Sequence, residues 1–157
     1  MRYAEYRPLI KSGDVIAHTH RGIRSWYDLK VWLVRLFEQS EYTHVAVAWV
    51  VGGRVFLLEA VGSGVRIFPL SLDLPFFHLP WHALTDAQLE FALAQAGKPY
   101  SYVDCVEGYL GVKDSEASHW QCSKYVAQVL GLPCPQAPSA VVAYLLENGA
   151  PLTQVHA

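Results

Sequence analysis

"EYTHVAVAWVVGGRVFLLEA", residues 41–60, has the composition of a β-hairpin. Two runs rich in Val, Ala and Leu, predicted as strands over 43–51 and 54–60, flank Gly52-Gly53, a pair able to supply the backbone angles of a tight turn. Counting outward from that turn puts Val51 opposite Arg54 and Ala46 opposite Glu59. Side chains alternate between faces, so His44 shares a face with Ala46 and therefore with Glu59, as a diagonal neighbour whose Cβ lies about 7–8 Å away. Two long polar side chains close that gap to a hydrogen bond, provided no bulge breaks the parity. Such a pair either marks the wet side of a sheet or serves a third residue elsewhere in the chain.

The 157 residues are 52% hydrophobic and 17% charged, which fits one domain over 1–157 with a single core. A net charge of -2 offers no electrostatic footprint for nucleic acid or an anionic membrane. The start, "MRYAEYRPLI", lacks a basic stretch followed by an apolar run, so no signal peptide is expected, and no apolar run is long enough for a transmembrane segment. Three cysteines without a C-x-x-C pair argue against a disulfide framework or a structural zinc site and for a reducing compartment.

Along the chain, "SGDVIAH" (12–18) reads as a turn and a short strand. A helix is predicted over 25–39, with Leu29, Trp32, Leu33, Leu36 and Phe37 as its buried stripe. A third strand over 64–69 follows the hairpin. "SLDLPFFHLPWHAL" (71–84) carries several breakers and reads as a loop with one short strand. Thr85 and Gln88 form a capping box that opens a helix over 86–96, stopped by Gly97 and Pro99. A further helix over 118–130 has Ser118 and Gln121 as its box and Gly131 and Pro133 as its stop. A last short helix covers 139–148. The fold class expected is α+β, an antiparallel sheet packed against helices.

A carboxylate that orients a histidine is half of a nucleophilic triad, and the missing half is Ser, Thr or Cys. Cys122 falls near the start of the helix "SHWQCSKYVAQVL", where unpaired N–H groups and the positive end of the helix dipole favour a thiolate and can hold an oxyanion. The bland alternative is a small buried apolar side chain. Cys105 is a rival with weaker helix-start chemistry, and Cys134 sits between two prolines without catalytic context.

Taken with their order, these segments resemble the circularly permuted branch of the NlpC-type cysteine peptidases, of papain-like fold. "SGDVI" (12–16), "THVAV" (43–47) and "LLEA" (57–60) come first; "GKPY" (97–100) and "CSKYV" (122–126) come last. The resemblance covers residues 9–132. It implies Cys122 as nucleophile at a helix N-terminus, His44 as base, Glu59 as the residue that orients it, and Tyr100 beside the substrate. The sequence departs from the pattern where "SYVD" replaces a tryptophan and Gly-Gly after that tyrosine, where Gln121 replaces an aspartate, and where "H-V-G" reads "H-V-A".

The expected activity is cleavage of an amide or ester through a thioester, with a peptide or acyl substrate such as a peptidoglycan fragment. The alternatives are a thioesterase or acyltransferase on acyl lipids and a non-catalytic papain-like binding or structural module. No cofactor is expected. A metal site using His18, His20, His78 or His82 lacks ligand spacing. Phe76, Phe77 and Trp81 read as core sooner than as an acyl groove. The location implied is cytoplasmic or phage-associated. In an active site the start of helix 118–130 should pack on the face carrying His44 and Glu59, bringing Cys122 within about 3–4 Å of the imidazole.

Overall fold

The turn at Gly52-Gly53 forms with φ of +57° and +72°, and both residues need the left-handed region that glycine enters freely. From it run β2 (Tyr42–Val51) and β3 (Arg54–Val61), paired antiparallel from Val51↔Arg54 through Val47↔Leu58. This is the register expected from the sequence. A computed structural model describes residues 1–19, 42–99, 121–133 and 137–157, and the helix expected over 25–39 lies outside them.

Around the hairpin stand β1 (Val15–Thr19), β4 (Gly64–Pro69), β5 (Phe76–Leu79) and β6 (Thr153–Val155). The six strands form one sheet in the order β4-β3-β2-β1-β5-β6, every neighbouring pair antiparallel. The helices are α1 (Tyr3–Tyr6), α2 (Asp86–Ala94), α3 (Cys122–Leu130) and α4 (Pro138–Glu147). The architecture is α+β. Among the described residues no helix is long and apolar enough to cross a membrane.

The sheet is covered on both faces, which is why β2 and β3 read as nearly unbroken apolar runs. One set of alternating residues, including Val15, Ala17, Val45, Val47, Leu58 and Ala60, packs with Tyr125, Val126 and Val129 of α3 and Val141 and Leu145 of α4. The other set, including Ile16, Ala46, Ala48, Val55 and Leu57, packs with Tyr6, Ile10, Leu70 and Phe76. Phe76 is core, and Phe77 and Trp81 lie against the first cluster, so the segment 71–84 contributes β5 and packing surface. Neither α1 nor β6 was expected; each is too short to carry a periodic pattern.

The helix expected from Ser118 begins instead at Cys122. Gln121 is its N-cap, in extended conformation and without a side-chain capping bond, and Ser118 lies outside the described residues. Gly131, at φ +69°, closes the helix as its sequence required. The Thr85–Gln88 capping box of α2 is present in full.

The segment leading into β1 is pinned from inside. Asp14, 2% exposed, accepts hydrogen bonds from the backbone of Lys11 and Trp81 (2.7 and 3.0 Å) and from His78 Nε2 (2.8 Å). The other nitrogen of His78 shares a 2.8 Å hydrogen bond with the Tyr6 hydroxyl, tying the N-terminal helix to β5. Burial would raise the Asp14 pKa, but these hydrogen bonds and the nearby histidine hold it below the usual carboxylate range.

Gly13, with φ +103°, lets the chain pass against residues 82–84; a Cβ there would collide with the His82 carbonyl oxygen and lie 2.8 Å from the Leu84 nitrogen. Gly52 has open space around its missing Cβ. Gly13→Ala should therefore cost more than about 3 kcal/mol, from backbone collision added to left-handed strain, whereas Gly52→Ala should cost about 1 kcal/mol from strain alone. Urea unfolding midpoints of the two variants measure the difference.

Candidate functional site

His44 and Glu59 meet as the hairpin register dictates. His44 Nε2 and Glu59 Oε2 are 2.6 Å apart, and since a carboxylate only accepts, the ring nitrogen donates. The Glu59 side chain is 1% exposed and that of His44 20%. The other carboxylate oxygen of Glu59 accepts a 2.7 Å hydrogen bond from Arg66 Nε, across the β3–β4 pair. Arg66 was not singled out in the sequence, although Glu59↔Arg66 pairing follows from the strands and from the turn at 62–63.

Cys122 is the first residue of α3, 6% exposed, and lies close enough to the His44 ring to raise its pKa. With Nε2 engaged by Glu59, the ring nitrogen left for sulfur is Nδ1. The structure thus brings Cys122, His44 and Glu59 together. Tyr100, the expected substrate neighbour, and the rival cysteines Cys105 and Cys134 lie outside the described residues.

The helix does not approach as expected, however. Its body rests on the face of Val45, Val47, Leu58 and Ala60, whereas strand alternation places His44 and Glu59 with Ala46 and Leu57 on the other face. Its first residue, Cys122, stands beside the imidazole. The β1–β2 pairing shifts register just beyond His18↔His44, at Thr19↔Tyr42, so the sheet is irregular where the site sits. Irregularities of that kind re-aim side chains at strand ends.

Burial disfavours a charge on His44, but hydrogen bonds to Cys122 and Glu59 and the negative charge of both outweigh it, and the pKa is pushed up to about 10. Burial would likewise raise Glu59; the hydrogen bond and charge of His44, then those of Arg66, hold it low. At neutral pH the ring is an imidazolium beside the ionised Glu59 carboxylate.

A second histidine stands beside it. His18 is the β1 residue paired with His44, with ring centroids 5.9 Å apart. Its Nε2 donates to the Asp73 carbonyl oxygen (3.1 Å) and lies 3.3 Å from the Asp73 carboxylate. Among the described residues its buried Nδ1 has no hydrogen-bond partner, and neither does the buried hydroxyl of Ser123. Burial pushes the His18 pKa down, with the charge of His44 acting in the same direction against the raising influence of Asp73 and Glu59. One histidine is charged and its neighbour is kept neutral.

Among the described residues no group of three or more His, Cys, Asp or Glu side chains is arranged to hold a metal ion. Of the histidines considered for one, His78 is committed to Asp14 and Tyr6, His82 packs beside Trp81, and His20 lies outside the described residues.

No family model matches the chain, and no curated protein matches it. Among solved structures it is similar to the metalloprotein yiiX of Escherichia coli O157:H7, described as DUF1105. The two share 20% sequence identity at a TM-score of 0.60, over 92% of this chain and 96% of that one. At that identity the likeness establishes the fold and leaves the chemistry to be read from the side chains.

The charge on His44 makes a direct expectation. In ring ¹⁵N NMR, His44 should carry both protons at pH 7 and titrate near pH 10, and Glu59→Gln or Cys122→Ser should each lower that midpoint by removing an anion. A pKa raised by folding stabilises the fold fully below the ordinary value of 6.5 and loses that contribution as pH rises through about 10. The stability gap between wild type and His44→Ala should therefore shrink across that window in urea titrations.

Proposed function

We propose that the chain is a cysteine hydrolase that cleaves an amide or ester bond through a thioester on Cys122, with a permuted NlpC-type, papain-like arrangement. The observation that carries this reading is the gathering of Cys122 beside His44, whose other side is held by Glu59 at 2.6 Å, with sulfur at the first position of a helix. Further support comes from chain order, with the strand-borne His44 and Glu59 ahead of the helix-borne cysteine.

In this mechanism His44 holds the proton that Cys122 gives up. Sulfur attacks the substrate carbonyl carbon, forming a C–S bond. The carbonyl oxygen takes the negative charge and accepts hydrogen bonds from backbone N–H groups at the start of α3, beside Cys122. His44 then passes its proton to the leaving nitrogen or oxygen as that bond breaks, which leaves a thioester and a neutral imidazole.

Acylation also removes the sulfur's negative charge, one of the influences that kept the ring protonated. The neutral ring accepts a proton from water, hydroxide adds to the thioester, and the C–S bond breaks to expel thiolate and release the acid, while His44 keeps its proton and the starting pair is restored. Glu59 keeps Nε2–H pointed at itself throughout, so that Nδ1 is the nitrogen that faces the chemistry.

The substrate classes to test are peptidoglycan peptides and acyl thioesters or lipids, since the same thioester serves hydrolysis and acyl transfer. Intact-protein mass spectrometry after incubation with each should show a mass gain mapped to Cys122 and released by hydroxylamine. His44→Ala should slow its formation by about 10²–10⁴-fold. Adducts that persist in Cys122→Ala, or no adduct and no turnover with either class, would contradict the reading.

A further inference from the structure

Glu59 poses a physical problem that its role as an orienter does not solve. A neutral glutamine would hold the ring equally well, whereas an ionised carboxylate that is 1% exposed has lost nearly all its hydration. Its retention in ionised form calls for a second cation besides His44, and β4 supplies one. Arg66 is the direct cross-strand partner of Glu59, so the backbone register alone sets the two side chains opposite each other. Its Nε donates to Glu59 Oε1 at 2.7 Å, on the carboxylate oxygen that His44 leaves unused.

The guanidinium is itself held in place. Its central carbon lies 4.2 Å from the centre of the Phe68 ring, two residues along on the same face of β4, a distance at which the cation rests on the ring. The side chain is 42% exposed, so its charged end stays hydrated while one donor reaches the buried carboxylate. Arg66 therefore meets its own solvation need at the surface and that of Glu59 in the interior.

We propose that Arg66 is a positioning residue that keeps Glu59 ionised and fixed, so that His44 keeps its anionic partner and its orientation toward Cys122 into the acid range. This rests on reading Cys122 and His44 as a reactive pair. Without Arg66, burial of Glu59 is opposed by His44 alone; on acidification the carboxyl takes up a proton at higher pH, and His44 loses the anion that steadies it. Among the described residues, the other ionisable groups facing His44 and Glu59 are His18 from β1, Asp73 from the segment before β5, and Cys122. His18 gains charge in the acid range and repels His44, offset by Asp73, so a pH profile alone does not isolate Arg66. Comparison in a background without the Glu59 charge does.

The test uses Arg66→Met, Arg66→Gln and Arg66→Lys, with Glu59→Gln and the double variant Glu59→Gln/Arg66→Met. Two readouts need no substrate: the Glu59 carboxyl titration by ¹³C NMR, and the ratio of iodoacetamide labelling rates at Cys122 between pH 5 and pH 7.5. Met and Gln at 66 should each raise the Glu59 midpoint by about 1 unit or more and lower the labelling ratio about threefold or more. Lys, which keeps the charge without the planar donor, should recover at least about half of the shift. In the Glu59→Gln background, Arg66→Met should add less than about a twofold further change, since the charge it served is gone.

Arg66→Gln retains a hydrogen-bond donor and guards against loss of fold in the Met variant. An unmoved Glu59 titration in folded Arg66→Gln overturns the proposal. So does an equal drop in labelling ratio with and without the Glu59 charge. If wild-type Cys122 proves unreactive, the hydrolase reading fails, while the Glu59 titration still decides the role of Arg66.

Discussion

A 2.6 Å hydrogen bond between His44 and Glu59 joins β2 and β3 and sets the terms for the groups around it. It requires one hairpin register, since a slip of one residue would turn His44 and Glu59 to opposite faces. It places a carboxylate where almost no water reaches, which in turn calls for Arg66 on the neighbouring strand. It also commits Nε2, so that a nucleophile must arrive at Nδ1, and the start of α3 is where one does. Turn, register, ion pair and helix start all meet at this single contact.

Two hydrogen-bonded groups of opposite character hold the scaffold. The Asp14–His78–Tyr6 series lies fully within the core and links the N-terminal helix, β1 and β5; every exchangeable position in it is used. Around His44 the pattern is looser, with His18 Nδ1 and the Ser123 hydroxyl buried and unpartnered. A buried polar atom without a partner costs about 1–3 kcal/mol, so the fold tolerates at the site what it avoids elsewhere. That contrast agrees with the working assumption that polar strain collects where chemistry is done.

How much of this was legible in the sequence varies with the range of the interaction. The hairpin was readable because Gly-Gly fixes the turn and alternation then propagates the register residue by residue; the His44–Glu59 contact followed from arithmetic. The strong local signals of α2, Thr85 with Gln88, were equally direct. The start of α3 was misjudged because Ser118 and Gln121 have the spacing of a capping box, while Gln121 in the structure is itself the extended cap residue. β5 and β6 are short and owe their existence to pairing with β1 and with each other. Arg66 went unnoticed because nothing about an arginine in a strand distinguishes it until its cross-strand partner is seen to be a buried carboxylate.

The central claim is that His44 makes Cys122 a nucleophile, and its most direct measure is the rate of iodoacetamide alkylation at pH 6. An ordinary thiol, with a pKa of about 8.5, is nearly all protonated there and labels slowly. In the native protein Cys122 should label at least about tenfold faster than Cys105 or Cys134, and His44→Ala should remove most of that advantage while the protein stays folded. Denatured protein should label alike at all three positions. If native Cys122 reacts no faster than the other two, and His44→Ala changes nothing, the pair is part of a binding or structural module and the hydrolase account is wrong.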